Sequence, residues 1–254
     1  MKRKKIIAGN WKMNLFPDQA EALSQKIAEQ SKKTHQSKIL VFPPVALIHS
    51  VVNQLKETKA EVGAQNISEF NDGAFTGENS TELIKQTGCA WTLVGHSERR
   101  SLFHESDQVC QRKIDKAIRS GLNVIYCIGE NENQRDSGDY LKVISDQLNF
   151  FIDGVMDQNS DLDFCVAYEP VWAIGTGKNA KISQVVEVHQ MIREKLDNSK
   201  IGNDSQKINI LYGGSAKKTN AADLLKQDLV DGLLIGGSSL TEEFIQIINI
   251  SEEL

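Results

Sequence analysis

Eight short apolar runs pace this chain and limit what it can become. They are KIIAG (5–9), KILVF (38–42), AEVGA (60–64), WTLVG (91–95), NVIYCIG (123–129), DFCVAY (163–168), INILYGG (208–214) and DGLLIGG (231–237). Each is strand-length, rich in Val, Ile and Leu, and not cleanly alternating. Strands buried on both faces of a parallel sheet read this way. Helical spacing fills the segments between them. From Ile182 to Leu196, the apolar residues Ile182, Val185, Val186, Ile192 and Leu196 fall on one helical face. Pro17 stands where a helix can begin. Eight strands alternating with helices predict an α/β fold, a (β/α)₈ barrel, with an open doubly wound sheet as the alternative. The 254 residues suit one such barrel, and no Pro- or Ser-rich linker divides them, so residues 1–254 are expected to form a single domain.

Composition narrows the function. A net charge of −5, with acids and bases interspersed, leaves no nucleic-acid footprint. The basic start KRKK is followed by too short an apolar stretch for a signal peptide, and no run is long enough to span a membrane, so no membrane partner and a cytoplasmic location are expected. Four cysteines, Cys89, Cys110, Cys127 and Cys165, form no C-x-x-C pair; Cys127 and Cys165 read as small buried hydrophobes. Five histidines without paired spacing predict no metal site.

In a barrel of this kind the chemistry sits at the C-terminal ends of the strands. Asn10 and Lys12 follow the first run, His96 the fourth and Glu169 the sixth. Ser215 and the pairs Gly213-Gly214 and Gly236-Gly237 follow the seventh and eighth. In an extended GNWKMN, Asn10 and Lys12 point together and Trp11 opposite. A lysine ammonium fixed about 4 Å from a developing oxyanion contributes roughly 4 kcal/mol at an effective dielectric near 20. In VGHSERR, a helix starting at Ser97 would place positive partial charge beside His96 and favour a neutral ring that donates to a carbonyl oxygen. Alone, such a histidine is more often a buried one satisfied by backbone. Glu98, Arg99 and Arg100 read as ion-pair formers. The two glycine pairs can expose N–H groups to a phosphate. GTGKNA fits neither a Walker A loop nor G-x-G-x-x-G, so no nucleotide signature competes.

AYEPVWAIGTGK (167–178) ties these together. Glu169 ends a buried run, where apolar walls suit a general base. Pro170 stiffens one hinge, while Gly175 and Gly177 loosen the other. Val171, Trp172, Ala173 and Ile174 make an apolar tip, the composition of a lid that excludes water.

GNWKMN, GHSERR, AYEPVWAIGTGK, YGGS and the glycine pair of LLIGGSSL, in this order and spacing, resemble the triosephosphate isomerase family over essentially the whole chain. The resemblance implies interconversion of dihydroxyacetone phosphate and glyceraldehyde 3-phosphate through a cis-enediol(ate), without cofactor or metal. It implies Glu169 as proton shuttle, His96 as the polariser of the carbonyl oxygens, Lys12 as charge stabiliser and Asn10 as orienting group. Gly175, Ser215, Gly236 and Gly237 would hold the phosphate, with Asn10 and Lys12 also contacting substrate. Glu98, Cys127 and Thr76 fall in supporting positions. The segment Gln65–Glu78 is similar to the family's dimer loop, with Thr76 reaching the partner's site, so a homodimer is expected. Lys5 and Ser238 depart from the family's usual proline and alanine. A metal-dependent pentulose-phosphate epimerase and a binding protein that has lost catalysis are the competing readings. The first wants several His and Asp at strand ends, and the second fits poorly with a complete Asn10, Lys12, His96, Glu169 and Ser215 set.

Overall fold

The computed structural model describes residues 3–155, 162–175 and 178–254. All eight apolar runs are strands: β1 (Lys5–Asn10), β2 (Ser37–Phe42), β3 (Glu61–Ala64), β4 (Trp91–Val94), β5 (Asn123–Ile128), β6 (Phe164–Tyr168), β7 (Asn209–Tyr212) and β8 (Gly232–Ile235). Each pairs in parallel with the next, and β8 pairs with β1, closing a barrel in sequence order. The described helices run between and after the strands: α1 (Pro17–Ser31), α2 (Ile48–Leu55), α3 (Thr81–Gln86), α4 (Ser97–Leu102), α5 (Asp107–Arg119), α6 (Glu132–Asp136), α7 (Tyr140–Val155), α8 (Ile182–Asp197), α9 (Lys218–Leu225) and α10 (Glu243–Glu252). None of them is long and apolar enough to cross a membrane. The open doubly wound alternative is thereby excluded.

Strand periodicity of two splits each strand between two cores. Ile6, Ala8, Leu40, Phe42, Trp91, Leu93, Ile125, Cys127, Cys165, Ala167, Leu211 and Leu234 fill the barrel interior. Their neighbours, such as Ile7, Val41, Val94, Tyr126, Val166, Ile210 and Leu233, pack outward against the helices. Burying one such side chain fully contributes about 1.5–3 kcal/mol, so both cores hold the strands in this register. At β3 the interior position is Gly63, where an added Cβ would lie 2.3 Å from the Phe42 ring. The large Phe42 and Trp91 rings occupy that space instead.

One further step of two along the interior rows reaches Asn10, the last residue of β1, and, past the ends of their strands, Gln65, Gly95, Gly129, Glu169, Gly213 and Gly236. The same alternation that builds the core therefore delivers polar and glycine positions to one mouth of the barrel. In α8 the buried face is Val185, Val188, His189, Ile192, Arg193 and Leu196. Val186, assigned to that face from spacing, is half-buried beside it.

Candidate active site

A cavity of about 240 Å³ opens at the C-terminal mouth. Asn10, Lys12, His96, Glu169, Ile174, Gly175, Gly213, Gly214, Ser215, Gly236 and Gly237 line it, with Leu234 from the barrel interior. The residues predicted from strand ends thus converge on one place.

Lys12 arrives there by a route that the alternation argument did not contain. β1 ends at Asn10, and Lys12 takes a left-handed backbone, φ +52°. That conformation is uncommon for a residue with a Cβ and has to be held by its surroundings. Asn10 Oδ1 accepts the Lys12 N–H at 3.0 Å. Gln65 Nε2 donates to the Lys12 carbonyl at 2.8 Å and to the Phe42 carbonyl at 2.9 Å. Gln65, which sequence reading placed only at the root of a dimer loop, therefore clamps the turn that turns Lys12 inward. The Lys12 Nζ contacts Glu98 Oε1 at 2.5 Å. Trp11 is fully buried in the outer core.

His96 caps the N-terminus of α4, and its Nδ1 accepts the Glu98 N–H at 3.2 Å. An imidazole nitrogen that accepts carries no proton, so in the neutral ring the proton is on Nε2. Nε2 lies 3.0 Å from Glu169 Oε1. The approach is off the axis of a good hydrogen bond, and among the described residues Oε1 has no aligned donor. The other oxygen, Oε2, accepts the Ser97 N–H at 2.7 Å. Glu169 is 1% exposed, which makes this a buried carboxylate with one oxygen anchored and one uncommitted. A buried acceptor without a donor costs free energy.

Across the cavity the backbone is stripped bare. Among the described residues, no protein acceptor takes the N–H groups of Gly214, Ser215, Gly237 or Ser238. A Cβ on Gly237 would meet nothing within 4 Å, and one on Gly214 would lie 2.3 Å from the Tyr212 hydroxyl. Asn220 Nδ2 donates to the Ser215 carbonyl at 2.9 Å. That bond holds the turn ahead of α9. A short 3₁₀ helix, Gly237–Leu240, starts at the cradle. Free N–H groups at helix starts attract anions.

The segment after Glu169 is partly anchored. Val171–Ala173 form a 3₁₀ turn in which Ala173 is buried. Trp172 Nε1 donates to Glu130 Oε1 at 2.8 Å, and the Tyr168 hydroxyl donates to the same oxygen at 3.1 Å. Burial pushes the Glu130 carboxyl above its ordinary range, opposed by those donors. Of the apolar tip expected from sequence, Ile174 reaches the cavity, and the hinge residue Gly175 lines it as well. Gly175 is left-handed, φ +69°. Gly177, the other loose hinge, lies outside the described residues. Glu130 was missed in the sequence, although an acid directly after NVIYCIG mirrors Glu169 after DFCVAY.

Cys127 is fully buried in the barrel interior, and burial drives its thiol well above the ordinary range, with nearby Glu169 adding to the effect. It is a packing residue beneath the site. Thr76 is exposed on its loop and does not line the cavity of its own chain. Among the described residues no group of His, Cys, Asp or Glu could hold a metal ion. A second cavity, about 370 Å³, lies at the opposite end of the barrel near Arg3, Lys5, Asp228 and Asp231. It is larger, but it lacks the bare backbone and the carboxylate–imidazole contact, so size does not locate the chemistry here.

A buried carboxylate against an imidazole, a lysine and a row of bare backbone N–H groups, all at the C-terminal mouth, suit a (β/α)₈-barrel enzyme that moves protons on a small anionic substrate. The sequence model described as triosephosphate isomerase matches residues 5–251. The triosephosphate isomerase of Lawsonia intracellularis is 41% identical, over 96% of this chain and 97% of its own length. That of Francisella tularensis subsp. novicida is 42% identical over 98% of each chain, and that of Flavobacterium psychrophilum 38% identical over 97% and 99%. The chain belongs to the triosephosphate isomerase family.

Proposed function

We propose that Glu169, His96, Lys12 and Asn10 carry out the reaction that family membership assigns to the chain. That reaction is the interconversion of dihydroxyacetone phosphate and D-glyceraldehyde 3-phosphate, an aldose–ketose isomerisation of glycolysis and gluconeogenesis. The observation that carries the residue assignment is the 3.0 Å contact between Glu169 Oε1 and His96 Nε2 at the cavity floor. Starting from the ketone, Glu169 takes a proton from C1. The C–H pair becomes the C1–C2 double bond, and the carbonyl π pair moves to O2, where the His96 Nε2–H donates. A proton then returns from Glu169 to C2 while the carbonyl re-forms at C1, and His96 moves a proton between the two oxygens. A general base contributes typically 10²–10⁴-fold. The 3.0 Å contact leaves no room for a substrate carbon between the two groups, so binding must part them.

Lys12 neutralises the charge that develops on the enediolate, and Asn10 orients the substrate. The N–H groups around Gly175, Ser215, Gly236 and Gly237 take the phosphate. Ile174 and Gly175 close over the cavity and keep water from the enediolate. Glu98 holds the Lys12 ammonium until substrate arrives. The chain acts as one catalytic unit in the cytoplasm, with neither nucleic acid nor membrane as partner.

The working form is a homodimer through Gln65–Glu78, with Thr76 entering the second copy's site. What supports this is where apolar side chains meet solvent. Met13, Phe16, Val45, Phe70, Phe75, Leu83, Leu102 and Phe103 are large exposed hydrophobics in the loops and helices after β1 to β4, and outside that half of the barrel, among the described residues, only Leu254 joins them. Phe70 and Phe75 stack with ring centroids 4.4 Å apart at the loop tip. Exposed apolar side chains gathered on one side of a molecule suit an interface.

Glyceraldehyde 3-phosphate followed by proton NMR in D₂O with EDTA tests the reaction. The expected product is dihydroxyacetone phosphate carrying hydrogen or deuterium at C1, in proportion to how far the Glu169 proton exchanges with solvent before it returns. No conversion would contradict the reading.

A further inference from the structure

The turn that delivers His96 is held by a guanidinium that the chemistry above does not use. Arg100 lies on α4, four residues after His96, and its side chain is 16% exposed. Its Nε donates to the Gly95 carbonyl at 2.7 Å. Its Nη2 donates to the Tyr126 hydroxyl at 2.9 Å and to the Cys127 carbonyl at 3.3 Å. Its Nη1 meets Asp107 Oδ1, on the first turn of α5, at 2.5 Å. One planar group thus spans the end of β4, the end of β5 and the start of α5.

Gly95 shows that this space is reserved. Its φ is +72°, a left-handed turn that favours glycine. An added Cβ would also lie 2.9 Å from Arg100 Nη2, 3.0 Å from Cys110 Sγ and 3.2 Å from the Cys127 carbonyl oxygen. The left-handed Gly95 reverses the chain immediately before His96 and Ser97. Those two residues make both contacts to Glu169, through the imidazole and through the Ser97 N–H. Whatever fixes the Gly95 carbonyl therefore fixes the aim of the ring and of the amide together.

We infer that Arg100 is a positioning residue for proton transfer: its fork of donors locks the β4–α4 turn to β5, and so sets the place of the His96 ring and the Ser97 N–H against Glu169. It touches no substrate. A lysine at this position keeps the charge but cannot bond both carbonyls and Asp107 at once, because its ammonium is a point donor rather than a planar fork. Misplacement of a reacting group by about 1 Å can cost on the order of 10²-fold in rate.

The inference rests on the proposed isomerase chemistry. The test is Arg100→Lys with steady-state kinetics, a thermal melt, and ¹⁵N NMR of the His96 ring. The expected result is kcat down by about 10- to 100-fold, KM within about twofold, and shifted Nδ1 and Nε2 signals in a protein that still melts cooperatively. The phosphate cradle is remote from this clamp, which is why KM should hold. A folded Arg100→Lys with wild-type kcat, or with reduced kcat but wild-type His96 signals, would overturn the inference. Should Arg100→Lys not fold, Asp107→Asn takes its place, since without that counter-charge the guanidinium is free to draw back from the Gly95 and Cys127 carbonyls. A smaller kcat loss with shifted ring signals supports the role, and unchanged signals overturn it. An inactive wild type would count against the isomerase reading itself, and the ring signals would still report on Arg100.

Discussion

At the scale of single residues, the site depends on places where a side chain is missing. Gly213 sits on the interior row beyond β7, and a Cβ there would lie 2.9 Å from Glu169 Cγ. The obstacle is a side chain with rotatable bonds, so the carboxylate would move and the fold would survive. Gly213→Ala is expected to lower kcat at least tenfold, with the melting temperature changed by only a few degrees. Gly129 is the contrasting case: a Cβ there would lie 1.7 Å from the Glu169 carbonyl oxygen, which is backbone and cannot yield. Gly129→Ala is expected not to give a cooperative melt. Kinetics and calorimetry on the two variants check both, and equal effects on activity and stability in both would contradict the distinction.

Elements were legible in the sequence to different depths. The eight strands could be read directly, because a strand buried on both faces leaves an unbroken apolar run and the turn after it needs glycine. His96 and Glu169 could be read because they stand one or two residues beyond such runs. Lys12 was reached by a parity argument, yet β1 stops at Asn10, and a left-handed turn held by Gln65 brings Lys12 to the site. Gln65 and Arg100 were not legible in these roles. Each acts on a backbone carbonyl of a different strand, and a carbonyl has no signature in sequence. The anchoring of Trp172 was not legible within its apolar tip, because its acceptor, Glu130, lies 42 residues away.

Helix α8 also carries a histidine that periodicity could not explain. His189 is fully buried, with Nδ1 2.9 Å from the Leu229 carbonyl and its ring edge-on to Tyr168. Burial lowers its pKa from 6.5 to about 4, against the pull of the Leu229 carbonyl and Asp231. The folded chain therefore keeps the ring neutral where the unfolded chain protonates it. Its contribution is complete above about pH 6.5 and is lost as pH falls toward about 4, at most about 3 kcal/mol. Urea unfolding at pH 7 and pH 4.5 should show a larger loss in wild type than in His189→Leu. Equal losses would remove His189 as a source of acid sensitivity.

For the whole molecule, the proposed homodimer rests on the distribution of exposed apolar side chains. The half of the barrel that follows β1 to β4 carries the exposed Phe70–Phe75 stack and its neighbours. Wild type is expected to run at twice the 28.3 kDa chain mass in size-exclusion chromatography with light scattering. Phe75→Glu should shift it to the chain mass, because a charge in a buried interface core is poorly tolerated. A monomeric wild type at micromolar concentration would contradict the dimer.

The most direct test concerns the carboxylate at the barrel floor. Glyceraldehyde 3-phosphate isomerisation would be measured in a coupled assay with EDTA, on wild type and Glu169→Asp. The substitution keeps the charge and withdraws the oxygens by one methylene from the 3.0 Å contact with His96. Fast conversion by wild type and a kcat lower by about 10²-fold or more in the variant is the expected result. Undiminished activity in Glu169→Asp would contradict Glu169 as the base.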